Sequence, residues 1–247
     1  MTFHAQLASP LGAILLCSDG EHLTGLYFIG QKDCPALRGL PPPRSTDPTA
    51  GLMSGMPLKH FKAYRLTPST DLPSTDLFSQ DNLRRTAASA AGPDGGSAMA
   101  GKRMPEPRSR QTVNEALGPL SLAQDDAPAG AKAVFEQTRQ ELGEYFSGSR
   151  RTFSVPLRLE GTDFQKKVWR ALLDIPYGEC VSYGDVAVAA GLTAQHGRPV
   201  GTAVGRNPIT IIVPCHRVLA NTGRLNGYTG GLERKFALLG LEGFTLR

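Results

Sequence analysis

The stretch Ser182-Tyr183-Gly184-Asp185-Val186-Ala187-Val188-Ala189-Ala190-Gly191, followed after a turn by Arg198-Pro199-Val200-Gly201-Thr202-Ala203-Val204-Gly205-Arg206, decides the reading of the fold. Ser182 and Asp185 stand at the spacing of a capping box, which predicts a short helix through Val186 and Ala187 to Ala190. Gly191 ends it as a left-handed cap. A second helix is predicted over 198–206, so the pair reads as a helix-turn-helix. Its residues are small: Gly201, Thr202, Ala203 and Gly205. Small side chains cost helix stability and need a reason. They fit close packing on another helix, or close approach to a narrow DNA groove, with Arg198 and Arg206 reaching for phosphates or the base stack.

Upstream, Thr162-x-x-Gln165 is another capping box. It opens a helix whose apolar stripe is Phe164, Val168, Trp169, Leu172 and Leu173, and which stops before Pro176-Tyr177-Gly178. Phe153, Val155, Leu157 and Leu159 alternate as in a strand with one buried face. Val134, Thr138, Leu142, Tyr145 and Phe146 recur at helical spacing, with Gly148 as a stop. At the N-terminus, residues 3–16 alternate weakly around the turn signal Ser9-Pro10-Leu11-Gly12. With the apolar run 23–29 they predict a β-hairpin or meander.

Between these regions, from about 35 to 128, the composition shifts. This stretch holds 13 of the 19 prolines and three aromatics, Phe61, Tyr64 and Phe78. It buries too little apolar surface to offset ordering entropy, and mostly disorder is expected there, with a few short docking pieces. The domain reading is therefore an α/β unit over 1–159 interrupted by this insertion, and a mostly α unit over 160–247.

The formal charge is +5. All of it arises from Arg151 onward, where 12 Lys and Arg face 7 Asp and Glu. A basic module favours a polyanionic partner such as nucleic acid. The four cysteines (Cys17, Cys34, Cys180 and Cys215) form no C-x-x-C pair. With no export signal they read as reduced thiols in the cytoplasm. No apolar run approaches the length of a membrane span, so no membrane partner is expected.

Downstream of Asn207-Pro208, the run 209–213 reads as a buried strand leading to Pro214-Cys215-His216-Arg217. A cysteine reacts as its thiolate, and a partnered histidine, nearby cations or a helix N-terminus lower its pKa. Cys215 is the candidate nucleophile and His216 the candidate base. Adjacency alone leaves open a small buried cysteine beside a hydrogen-bonded core histidine.

Pro214-Cys215-His216-Arg217-Val218, preceded by Arg206-Asn207-Pro208 and followed by Gly227-Tyr228-Thr229-Gly230-Gly231, resembles the active-site signature of the O6-alkylguanine-DNA alkyltransferases. The match extends from about Gly161 to Gly243, and the Ser9-Pro10-Leu11-Gly12 hairpin resembles the family's N-terminal domain. The resemblance implies a ribonuclease-H-like α/β N-terminal domain and a mostly α, winged-helix-like C-terminal domain whose helix-turn-helix enters the minor groove. It implies direct-reversal repair, in which Cys215 takes the alkyl group irreversibly from O6-alkylguanine, or O4-alkylthymine, in double-stranded DNA. In that scheme His216 takes the thiol proton through a water and Glu242 orients His216. Tyr183 helps rotate the nucleotide and donates a proton to the guanine ring. Arg198 fills the gap in the stack, and Gly201, Thr202 and Ala203 lie against DNA. Asn207 is the hinge to the active site. Val218 offers a carbonyl to the guanine amino group. Tyr228 and Thr229 flank the alkylated oxygen, Val204 forms a wall and Lys235 lies near that loop. Thr210 replaces a second proline common in relatives. No cofactor is implied. Cys17, His4 and His22 do not match the ligands of the zinc that some members bind, so no metal is expected. The chain is expected to act as a monomer.

Overall fold

Short turns divide the apolar N-terminal run into three strands. β1 (Phe3–Ser9) pairs antiparallel with β2 (Gly12–Ser18), from Phe3 opposite Ser18 to Ser9 opposite Gly12. The Ser9 hydroxyl closes the turn, donating to the Gly12 carbonyl (2.6 Å) and accepting from the Leu11 N–H (3.2 Å). Gly12 has φ 106°, which a glycine adopts at no steric cost. β3 (Leu23–Phe28) continues the meander on the far side of β2.

The computed structural model describes residues 1–35, 66–68, 117–124, 126–220 and 227–246, with the backbone alone at 66–68 and 245–246. Most of the stretch expected to be disordered thus lies outside the described residues. Two pieces of it form strands: β4 (Leu66–Pro68), whose partner lies near the C-terminus, and β5 (Leu120–Leu122), which pairs antiparallel with β1. The resulting sheet has the order β3-β2-β1-β5. α1 (Ala129–Phe146) covers it, burying Ala131, Val134, Phe135, Thr138, Leu142 and Tyr145, and Gly148 beyond its end takes φ 75°.

The alternation of Phe153, Val155, Leu157 and Leu159 encodes burial but no strand. Leu157 makes only an isolated bridge to Leu23. The Leu23 N–H donates to the Pro156 carbonyl (2.8 Å) and the Arg158 N–H donates to the Leu23 carbonyl (3.0 Å). Pro156 has no N–H with which to extend the pairing. A few residues along, the Leu26 N–H donates to the Pro208 carbonyl (2.8 Å) and the Leu26 carbonyl accepts from the Thr210 N–H (3.0 Å). These segments occupy the otherwise open edge of β3 and tie the sheet to the C-terminal half.

The C-terminal half follows its capping signals. α2 (Asp163–Leu173) begins at a complete Thr162/Gln165 capping box, and α3 (Tyr183–Ala189) at a complete Ser182/Asp185 box. Gly191 has φ 74°, as a left-handed cap requires. After a 3₁₀ turn at Ala194–His196 comes α4 (Gly197–Gly205). α4 buries Val200, Ala203 and Val204, and it packs against α2 and α3. The indole N–H of Trp169 on α2 donates to the Ala203 carbonyl (2.9 Å). β6 (Val181–Ser182) pairs parallel with β7 (Val218–Leu219). α5 (Leu232–Leu241) leads through Glu242 and Gly243 to β8 (Phe244–Leu246), and β8 pairs antiparallel with β4. Among the described residues, no helix is long and apolar enough to cross a membrane.

The run 209–213 is buried as expected but is not a strand. The Ile212 N–H bonds back to the Thr210 carbonyl (2.9 Å) and the Val213 N–H to the Ile209 carbonyl (3.0 Å), so the chain winds through tight turns. Ile211 has φ 71°. For a β-branched residue that is a strained conformation, held here by burial and by the surrounding hydrogen bonds.

Candidate active site

Asn207, directly after α4, organises this turn. Its Oδ1 accepts the Ile209 N–H (3.0 Å), and its Nδ2 donates to the Val213 carbonyl (2.8 Å) and to Cys215 Sγ (3.1 Å). One buried amide thereby fixes the backbone of the turn and faces the sulfur. Cys215 begins a single 3₁₀ turn, Cys215–Arg217, after Pro214. Cys215 is 5% exposed, and all four cysteines are free thiols.

His216 is fully buried, and its Nε2 lies 2.9 Å from Glu242 Oε1. A carboxylate can only accept, so Nε2 carries the proton and Nδ1 keeps its lone pair. Nδ1 has no hydrogen-bond partner among the described residues. Glu242 accepts four further bonds: from Arg217 Nε and Nη2 (both 2.9 Å), from the Tyr145 hydroxyl (2.7 Å) and from the Gly178 N–H (3.4 Å). Arg217 Nη1 donates to the Ile175 carbonyl (2.6 Å), so the guanidinium is held on both sides. A buried carboxylate is tolerated only when so paired. Sequence reasoning missed Tyr145 and Arg217 as parts of this centre. Tyr145 carried the signal of a core helix residue, and its partner lies 97 positions away.

The electrostatics follow from these contacts. Burial raises the Cys215 thiol, while the Asn207 amide, the Lys235 ammonium, the cysteine's own N–H and Tyr228 oppose the rise. Burial lowers the His216 imidazole despite the pull of Glu242. Burial alone would raise Glu242, but His216 and then Arg217 outweigh it and hold the carboxyl well below the usual carboxylate range. Lys235 is pulled down to about 8 by burial, against the influence of Cys215 and Cys180, and its Nζ donates to the Val218 carbonyl (2.6 Å).

A pH dependence of stability follows. Burial lowers His216 in the fold, so just below its ordinary value of 6.5 the unfolded chain binds a proton that the folded one does not. The paired Glu242 adds stability that is fully present above its ordinary value of 4.5 and is lost as pH falls toward its lower folded value. Both effects make the unfolded state bind more protons in acid. Denaturant midpoints should therefore fall from pH 6.5 downward, and more steeply below 4.5. Equilibrium unfolding between pH 4 and 8 checks this, and a flat profile would contradict the buried relay.

Beside Cys215 opens a cleft of about 1020 Å³. Tyr183, Gly197, Arg198, Gly201, Thr202, Gly205, Arg206, Gly227, Tyr228 and Thr229 line it, together with Lys32 and Asp33. Cys215 does not line it, but Tyr183 and Tyr228 do, and the phenols of both are raised by burial and then by the nearby Cys215. Burial first, and then Cys215, raise the Tyr183 phenol, so it remains protonated at neutral pH. The Thr229 hydroxyl donates to the Gly205 carbonyl (2.6 Å), joining the loop to the end of α4.

The structure thus brings Cys215, His216, Glu242, Asn207, Tyr183, Tyr228 and Lys235 to one centre and places Arg198, Gly201, Thr202 and Thr229 on the cleft. One expectation is corrected. Ala203, expected to lie against DNA, is 2% exposed on the α4 face that packs on other helices. Val204 is buried on that same face. The Val218 carbonyl accepts from Lys235 and keeps a second lone pair. Among the described residues, no group of three His, Cys, Asp or Glu side chains is arranged to hold a metal ion.

Residues 163–244 match the family model described as 6-O-methylguanine DNA methyltransferase, DNA binding domain. A methylated-DNA--protein-cysteine methyltransferase of Mycobacterium tuberculosis is 44% identical over 150 residues, covering 53% of this chain and 90% of the relative. One of the same name from Methanosarcina barkeri is 49% identical over 116 residues, covering 47% of this chain and 73% of the relative. The crystal structure of the Mycobacterium tuberculosis O6-methylguanine methyltransferase superposes with a TM-score of 0.55 at 30% identity, covering 98% of this chain and 93% of that one. The Mycobacterium tuberculosis OGT in complex with DNA superposes with a TM-score of 0.54 at 30% identity, covering 96% and 91%.

Proposed function

Because the chain belongs to the methylated-DNA--protein-cysteine methyltransferase family, we propose that Cys215 is the acceptor through which it performs direct-reversal repair of O6-methylguanine in DNA. The observation that carries the assignment is the buried His216–Glu242 pair directly after Cys215, whose sulfur accepts from the Asn207 amide.

The reaction is a displacement at the alkyl carbon. His216 Nδ1 takes the thiol proton through a bridging water, and Glu242 stabilises the imidazolium that forms. Thiolate sulfur bonds to the methyl carbon as the carbon–oxygen bond breaks, and the electron pair leaves with the guanine. Tyr183 donates a proton to the guanine ring, which makes guanine a better leaving group. The product is a thioether. The His216–Glu242 pair and the tyrosines give no means of cleaving it, so each molecule acts once.

A guanine stacked in duplex DNA cannot reach Cys215 and must be rotated out, at a cost of roughly a few kcal/mol. Arg198, exposed on the cleft, fills the vacated space, and Gly201 and Thr202 let α4 approach the duplex closely. O4-alkylthymine is a second substrate of the same displacement. The protein acts as a monomer in the cytoplasm.

The finer fold reading belongs to the same proposal. The sheet order and its covering helix support a ribonuclease-H-like unit over 1–159. Helices α3 and α4 with the β6–β7 pair support a winged-helix-like helix-turn-helix unit over 160–247.

The test is intact-mass analysis after mixing the protein with a duplex carrying one O6-methylguanine. A gain of one methyl group per molecule, mapped to the Cys215 peptide and saturating at one equivalent, is expected. Unchanged mass with DNA still bound, or repeated turnover, rejects the reading.

A further inference from the structure

The cleft is not built by the C-terminal half alone. Lys32 and Asp33, from the loop after β3, line it together with Arg198, Gly201 and Thr202 of α4. Both side chains are exposed. Lys32 makes no ion pair or hydrogen bond among the described residues, and nothing in the alkyl-transfer scheme uses it.

That loop is held in place. Gly30 takes φ 88°. Buried Gln31 accepts the Phe28 N–H on its Oε1 (2.9 Å), donates its own N–H to the Phe28 carbonyl (3.0 Å), and accepts the Cys34 N–H on its carbonyl (3.1 Å). Lys32 and Asp33 are therefore presented outward from a fixed turn. The sheet beneath is tied to the cleft's other wall. Besides the bonds from Leu26 to Pro208 and Thr210, Arg234 donates to the Leu11 carbonyl (2.7 Å) and lies over the Phe28 ring at 4.6 Å. Lys32 thus keeps a defined position relative to Arg198.

We infer that Lys32 is a DNA-backbone contact and that Asp33 beside it weakens that contact, so the N-terminal sheet forms a second wall of the DNA site. This rests on the reading of the cleft as the DNA site. Two cationic groups from different elements lining one groove can both contact a phosphate strand in it, and each phosphate neutralised adds to the salt dependence of binding. A carboxylate on the same wall repels the strand, so removing the two charges has opposite effects on affinity. A merely structural role for the loop predicts no such opposition.

The experiment measures affinity of the full chain for a methylated duplex across a salt series, by fluorescence anisotropy with a labelled oligonucleotide. Lys32→Ala should weaken binding several-fold at low salt and flatten the log–log salt slope by about 0.9. Lys32→Arg should restore both, and Asp33→Asn should tighten binding. Arg198→Ala tests the underlying reading. If Arg198→Ala weakens binding while Lys32→Ala and Asp33→Asn do not change it, the inference alone is overturned. If none of the variants changes affinity, the DNA reading of the cleft falls and the inference with it.

Discussion

Cys215→Ser abolishes transfer while leaving DNA binding intact. The hydroxyl is nearly isosteric with the thiol and keeps the Asn207 amide as a partner, so the tight turn has no reason to rearrange. The change falls on the chemistry. An alcohol is far harder to ionise than a thiol, and alkoxide is a poorer match for saturated carbon than a polarisable thiolate. Without the sulfur anion there is no nucleophile at this position. The expected mass spectrum shows no methyl adduct after hours with excess methylated duplex. The anisotropy titration should match wild type within about two-fold, since each 1.4 kcal/mol would be ten-fold. Methylation of the variant at any residue would show that the acceptor lies elsewhere.

Glu242→Gln should damage both chemistry and fold. The carboxylate accepts from His216, Arg217, Tyr145 and Gly178. An amide of the same shape turns one acceptor oxygen into a donor facing other donors, and it leaves the Arg217 charge buried without its counter-ion. Breaking a buried pair in this way costs about 3–5 kcal/mol. The imidazolium also loses the charge that stabilises it, so transfer should slow by about 10²-fold or more. Denaturant melts and quenched mass time courses, taken at a temperature where the variant is folded, separate the two effects. A folded variant that transfers at the wild-type rate would remove Glu242 from the mechanism.

The parts legible in the sequence were those encoded locally. The two capping boxes declare themselves within four residues, and both helices begin where those boxes place them. The β1–β2 turn is written in Ser9-Pro10-Leu11-Gly12. Apolar patterning was less specific. In both 153–159 and 209–213 it identified buried chain but not its path, because burial depends on side chains whereas strand pairing depends on N–H groups and a partner edge. Pro156, Pro208 and Asn207 decided those paths. The reactive pair was legible from Cys215 and His216 as neighbours. Glu242 entered only through the family resemblance, and Tyr145 not at all, since no local pattern marks a contact spanning 97 residues. Small residues on α4 pointed two ways, and the structure divides them: Ala203 packs inward, while Gly201 and Thr202 face the cleft.

The chain contains a single tryptophan, Trp169. Its indole is 2% exposed and bonds to a backbone carbonyl of α4, the helix that carries Arg198 and faces the cleft. Excitation at the red edge of the near-ultraviolet, where tyrosine does not absorb, therefore reads one chromophore at one location. Any shift of α4 when a duplex docks, or when the sulfur becomes a thioether, alters the hydrogen bond on that indole and with it the wavelength and yield of its emission. The repair step can thus be followed in real time by the protein's own fluorescence.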